Sequence, residues 1–326
     1  MQERYKQHIK NKNWYQNFRE KTKHLILPGF NGVPLYDILA YFIKGVRKGS
    51  LSTRASAIAF KFFLAIFPSI IIFFTIIPYI PIEGIHETLM ELIREFMPHN
   101  AFKGTEGTIE DIINHKRGGL LSIGALMTIY FATNAVTSII ESFNNTIHID
   151  EKRSFLKKRI TAIMLVFILS MVVIVAIALI IFGTDFLHFL VSKGLLRSGF
   201  ELTAIEISKW IVSAGMLFFL ISFVYYLAPA RQFKFRLISA GSTLATALSL
   251  LITLGFKFFV SNFGNYNAVY GSIGTLIVIM LFIYLNSLVL LIGFELNASI
   301  RNASLQGTNQ HSDQSENQRI RHSLHY

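Results

Sequence analysis

Ile160–Phe182 reads ITAIMLVFILSMVVIVAIALIIF, a stretch without one charged residue, placed directly after Lys157, Lys158 and Arg159. A helix rises ~1.5 Å per residue, so about 20 residues cross a hydrocarbon core ~30 Å thick. Working outward from this stretch, five more of the kind appear: Ala57–Ile80, Gly119–Ile140, Trp210–Leu227, Leu237–Val260 and Ile273–Phe294. Only Lys61 and Lys257 interrupt them with a charge. One such run fits the core of a globule, but a chain of 326 residues has too little interior to hide six. The sequence therefore predicts an all-α, polytopic membrane protein with six transmembrane helices.

Basic residues set the expected orientation, because Lys and Arg are retained on the cytoplasmic side. Residues 1–54 hold eleven of them. Lys152, Arg153, Lys157, Lys158 and Arg159 follow the second run, and Arg231, Lys234 and Arg236 follow the fourth. The intervening segments differ. Residues 81–118 carry four Lys/Arg against seven Asp/Glu, and Ser261–Ser272 has no charge. After the third run, Lys193, Arg197 and Lys209 are balanced by Asp185, Glu201 and Glu206. Both termini are thus expected in the cytoplasm.

The composition fits this picture: 52% hydrophobic, 15% charged, with a net charge of +12. In a soluble protein that excess suggests nucleic acid. Here it falls in cytoplasmic loops, where an anionic lipid surface attracts each basic residue by about 1 kcal/mol. The partners expected are anionic lipid headgroups at the cytoplasmic face, with envelope proteins as further candidates, and no nucleic acid. The absence of cysteine excludes disulfides, thiolate metal sites and cysteine nucleophiles. The N-terminus is polar and basic over a long stretch, so no cleavable signal peptide is expected.

Three regions follow. Residues 1–50 form a basic cytoplasmic segment in which Pro34 opens an amphipathic helix, with Leu35, Ile38, Leu39, Phe42 and Val46 on one face. That helix lies along the inner interface, packs on the bundle, or does both. Residues 51–300 form the six-helix transmembrane domain. Residues 301–326 form a polar tail rich in Asn, Gln, Ser and His, expected to be disordered. His311, His322 and His325 in the tail lack the geometry of a metal site.

The first outer connection is more than a loop. Ile85, Leu89, Leu92, Ile93 and Phe96 repeat at helical spacing and predict an extracytoplasmic helix ended by Pro98. A second short helix is expected near Thr108–Ile113.

Polar residues at the span ends are the candidate site. Arg54 and Lys61 are seven residues apart and share a helix face, Lys61 lying ~10 Å deeper. A charge at mid-membrane costs about 2.5–3.5 kcal/mol on insertion scales. Lys61 either snorkels to the inner headgroups or faces a polar cavity. Glu141, Asn144 and Asn145 close the second span, and Glu295 closes the sixth. Together Arg54, Lys61, Glu141, Asn144, Asn145 and Glu295 are expected to form an intramembrane polar network. Such a network either locks three helices together or serves a substrate. Pro68 lies inside the first span and predicts a kink near Ala65–Pro68. No catalytic residue, cofactor site or metal site is expected, and there is no glycine loop of the Walker type.

Several motifs resemble the YihY/BrkB family of bacterial inner-membrane proteins. They are Arg54-Ala55-Ser56-Ala57-Ile58-Ala59-Phe60 with Phe67-Pro68, Glu141-Ser142-Phe143-Asn144, and Arg153-Ser154-Phe155-Leu156-Lys157-Lys158-Arg159. Further along come Tyr225-Tyr226-Leu227-Ala228-Pro229, Tyr270-Gly271-Ser272 and Leu291-Ile292-Gly293-Phe294-Glu295-Leu296-Asn297-Ala298. They span residues 50–300 in family order. Lys61 departs from the pattern, where an aromatic or apolar residue is expected. The resemblance implies six helices in the bacterial cytoplasmic membrane and no settled activity. Members have been labelled ribonuclease BN, or associated with serum resistance and envelope lipid traffic.

The residues argue against a nuclease, because phosphodiester hydrolysis usually needs carboxylates or histidines holding metal near a water. The chain is read as a non-enzyme. It is expected to be a transporter or lipid translocator in envelope maintenance, or else a non-transporting scaffold for envelope machinery.

Overall fold

The computed structural model describes residues 20, 22, 25, 30, 32–48, 50–79, 90–91, 99–147, 153–193, 198–230, 238–262 and 264–323. The ordered elements among them are helical. In chain order they are α1 (Leu35–Lys48), α2 (Leu51–Ile76, extended by a 3₁₀ turn at Ile77–Tyr79), α3 (His99–Asn114) and α4 (Gly118–Thr146). Then follow α5 (Phe155–Ser192), α6 (Ser198–Leu227), α7 (Ala240–Asn262) and α8 (Gly264–Ser323). Six of them, α2 and α4 to α8, are long and apolar enough to cross a membrane. The protein is an all-helical, multi-pass membrane protein.

The six spans stand in a ring in chain order. Each packs on the next, and α8 returns to α2 to close it. One end gathers the starts of α2, α5 and α7 with the ends of α4 and α6, and the segment of α8 around Asn297. This basic end is where the core lies. Leu51, Ala55 and Ile58 of α2 meet Ile139, Ile140 and Phe143 of α4, Leu165 of α5, Val224 and Tyr225 of α6, and Leu291 and Phe294 of α8. Phe143 stacks on Phe294, with centroids 3.9 Å apart and planes 5° apart. Tyr225 stands edge-on to both rings. Its hydroxyl donates to the Leu290 carbonyl at 2.7 Å.

Small residues let α7 and α8 approach to backbone contact. Gly241, Ala245 and Ser249 repeat every fourth residue on α7, and Gly293 faces them from α8. In a membrane, close packing of this kind supplies the association that hydrophobicity does not.

The far halves differ from the basic end. Among the described residues, α5 buries nothing beyond Leu165, α6 nothing before Ile221, and α7 nothing after Ser249. α2 and α4 stay in tight contact into the far half, where Gly124 lies against Ile71 and Ile72. At the far end Ile77 packs with Ile109 and Ile113 of α3, and Met90 covers this small cluster.

Several expectations meet the structure differently. The short helix expected near Thr108–Ile113 starts nine residues earlier, at His99. The outer helix expected between Ile85 and Phe96 lies outside the described residues, apart from Met90 and Glu91. The segment Ser261–Ser272, read as a loop, is helical from Gly264 onward. The tail read as disordered continues α8 to Ser323. Both differences have one cause: nucleation is the costly step, and a long apolar helix carries its ends forward by propagation alone. The first span starts at Leu51, because the polar turn Ser52-Thr53-Arg54 already belongs to the helix. Ser50, in the left-handed region at φ 43°, turns the chain between α1 and α2. Pro68 lies inside α2, as expected, and the helix continues past it.

Helix α1 packs on the bundle. Ile38 is buried against Ile300 and Ala303 of α8. Ile43 and Val46 are exposed.

Candidate functional site

At the basic end, Arg54 sits one turn into α2, where the helix passes the last turn of α4. Its Nη1 donates to the Ser142 carbonyl at 2.6 Å and to the Thr146 hydroxyl at 2.7 Å. Its Nε and Nη2 are buried without a hydrogen-bond partner among the described residues. The carboxylate of Glu295, itself buried on α8, acts on Arg54 electrostatically. Helix α1 presses on that same carboxylate through Gly45. A Cβ at Gly45 would stand 2.6 Å from the Glu295 Cδ, so a larger residue there would have to displace the carboxylate. Arg54 and Glu295 thus form an electrostatic clasp without a direct ion pair, in which Arg54 joins α2 to α4 and the Glu295 carboxylate of α8 lies nearby against α1.

The other residues of the expected network are placed apart from this clasp. Glu141 is exposed and pairs with Lys158 of α5 at 2.5 Å. Asn144 is buried, and its Oδ1 accepts from the Ala230 amide at 2.8 Å, holding the turn after α6. Arg153 supports the same turn through the Ala228 carbonyl at 3.2 Å. Asn145 is exposed, and Lys61 is half-buried with no hydrogen bond or ion pair to the described residues. The six side chains therefore serve at least three separate places. Span ends that share a side of the membrane put residues at one level, but do not decide which neighbour each one faces.

Residues outside that set also act here. Asn297 caps α7: its Oδ1 accepts from the Gly241 amide at 2.8 Å, and its Nδ2 donates to the Ser239 hydroxyl at 2.9 Å. Its place four residues after Gly293 and two after Glu295 was the available signal. Asn134 and Arg159 meet across α4 and α5 at 2.6 Å, a pair no local spacing reveals. Beside Pro68, α2 and α4 leave a groove of about 540 Å³, lined by Phe62, Ala65, Ser69, Phe73 and Ala132 among others, and almost wholly apolar. Among the described residues no three His, Asp or Glu side chains gather as metal ligands would.

A ring of six apolar helices, clamped at one end by paired charges and stacked aromatics, defines a polytopic membrane protein. The chain belongs to the Virulence factor BrkB family, whose pattern it matches over residues 42–320. It is similar to a Bacillus subtilis protein named ribonuclease-like protein YfkH, 31% identical over 76% of this chain and 88% of the relative. It is also similar to a UPF0761 membrane protein of Tolumonas auensis, 24% identical over 82% of this chain and 87% of the relative. A UPF0761 membrane protein of Psychromonas ingrahamii is 23% identical over 81% and 88%. No solved structure matches it.

Proposed function

We propose that this protein lies in the bacterial cytoplasmic membrane with both termini in the cytoplasm, and moves amphipathic lipids across it as part of envelope maintenance. The observation that carries this reading is the one-sided packing of the ring. Its basic end is closed by Phe143, Tyr225 and Phe294, while the far halves of α5, α6 and α7 are covered only in part. A bundle built only to be rigid has no reason to withhold packing from one half. The apolar groove between α2 and α4 suits acyl chains rather than ions. The basic residues at the closed end favour the cytoplasmic leaflet and its anionic headgroups.

The test is reconstitution into liposomes with fluorescent phospholipids and a membrane-impermeant quencher. Protein-containing vesicles are expected to expose inner-leaflet label faster than empty ones. Equal rates remove translocation.

A second reading, a non-transporting scaffold, is favoured by the clasp itself. Arg54 and Glu295 are taken up by helix-to-helix contacts, as in a structural lock. The ribonuclease-like name of the Bacillus relative finds less support. The prominent cations here, Arg54 and Arg159, are engaged with carbonyl and amide oxygens, which is chemistry for holding anions rather than for activating water.

A further inference from the structure

Arg159 sits one turn into α5, immediately before its apolar run. From that position a long basic side chain ordinarily turns back to the polar surface. Arg159 does the reverse. Its Nη1 donates to Asn134 Oδ1 at 2.6 Å, and its guanidinium carbon lies 5.2 Å over the Tyr130 ring. Nη2 approaches the Tyr130 carbonyl at 3.5 Å. Asn134 and Tyr130 are six and ten residues inside the Ile140 end of the α4 apolar run, so ~9 and ~15 Å deep. The charge is thus turned toward the centre of the span, where a charge costs about 2.5–3.5 kcal/mol, and away from the polar surface.

The surroundings continue the pattern. At 100° per residue, Tyr130, Asn134, Glu141 and Asn145 fall on one face of α4. Tyr130, Glu141 and Asn145 are exposed and Asn134 is half-buried. Glu141 is neutralised by Lys158, two turns nearer the basic end. The α4–α5 seam therefore carries a polar track from the basic end into the span, on an otherwise oily surface. A guanidinium has five N–H donors, and Asn134 and Tyr130 engage two. Its fork matches two oxygens of a phosphate.

We propose that Arg159, braced by Asn134 and Tyr130, binds a phosphate anion of the phospholipid-headgroup kind that enters the α4–α5 seam from the basic end. The site deepens the translocation reading and rests on it for the headgroup's onward path. The binding itself stands separately.

The test uses the full chain in detergent micelles, with native mass spectrometry reading retained lipid. The probes are phosphatidylglycerol, phosphatidylcholine and inorganic phosphate. The intact protein is expected to retain phosphatidylglycerol over phosphatidylcholine. Arg159→Gln is expected to reduce that retention about tenfold, the scale of a charged hydrogen-bonded pair. Arg159→Lys keeps the charge without the fork and falls between them. Asn134→Ala weakens retention with Arg159 intact, and covers the case in which Arg159→Gln does not fold. Equal retention by intact protein, Arg159→Gln and Asn134→Ala overturns the site.

Competition by inorganic phosphate at equal concentration identifies a free anion as the source, and no competition identifies the lipid. Liposome scrambling run beside this separates the two claims. Retention lost in Arg159→Gln with no scrambling by intact protein keeps the site and removes translocation. Scrambling with retention unchanged in the variants does the opposite.

Discussion

Gly293 of α8 faces Gly241 of α7 so closely that a Cβ on Gly293 would stand 2.5 Å from the Gly241 carbonyl oxygen and 2.8 Å from the Ala245 Cβ. The Tyr225 hydroxyl closes the same space from α6. Three spans are fitted together at this one point, where no methyl group has room. Gly293→Ala and Gly241→Ala are therefore expected to destabilise the bundle by about 1–3 kcal/mol, as overpacking does. Thermal unfolding in detergent reads this as a lower midpoint, with Gly255→Ala, where a Cβ meets open space, as the unchanged control.

Arg54 and Glu295 are expected to be coupled. Removing either leaves the other charge at the clasp without its counterpart, at about 1–3 kcal/mol. Arg54→Ala, Glu295→Ala and the double variant form a cycle, and the double loss should fall short of the two single losses together. Strictly additive losses would show that the pair does not interact.

Asn144 and Asn145 are neighbours with opposite surroundings. Asn144→Ala takes away the acceptor of the Ala230 amide and is expected to cost about 1–2 kcal/mol. Asn145→Ala changes an exposed position and should stay within about 0.5 kcal/mol. Unfolding midpoints that shift equally would contradict the placement.

The orientation has a direct check, because the chain contains no cysteine and so no labelling background. Asn145→Cys at the basic end should react with impermeant maleimide only from the cytoplasmic side, and Gly119→Cys at the far end only from outside. The reverse pattern overturns the topology.

The sequence by itself determined the six spans, because a run of apolar residues long enough to cross a bilayer has few other fates, and each helix satisfies its own backbone. It also placed Arg54 and Glu295 at one level, since both lie at span ends that share a side. The amphipathic α1 was legible in the same way, from a 3.6-residue period. Helix rotation and neighbour choice were not legible, and they decided the site. Whether Glu141 turns to Arg54 or to Lys158, and whether Arg159 turns to the surface or to Asn134, depends on how whole helices are rotated against each other. That rotation is set by close steric fits such as Gly241 on Gly293 and Phe143 on Phe294, which join residues 52 and 151 positions apart. Periodicity along one helix carries no information about such contacts, so only the packed ring fixed them.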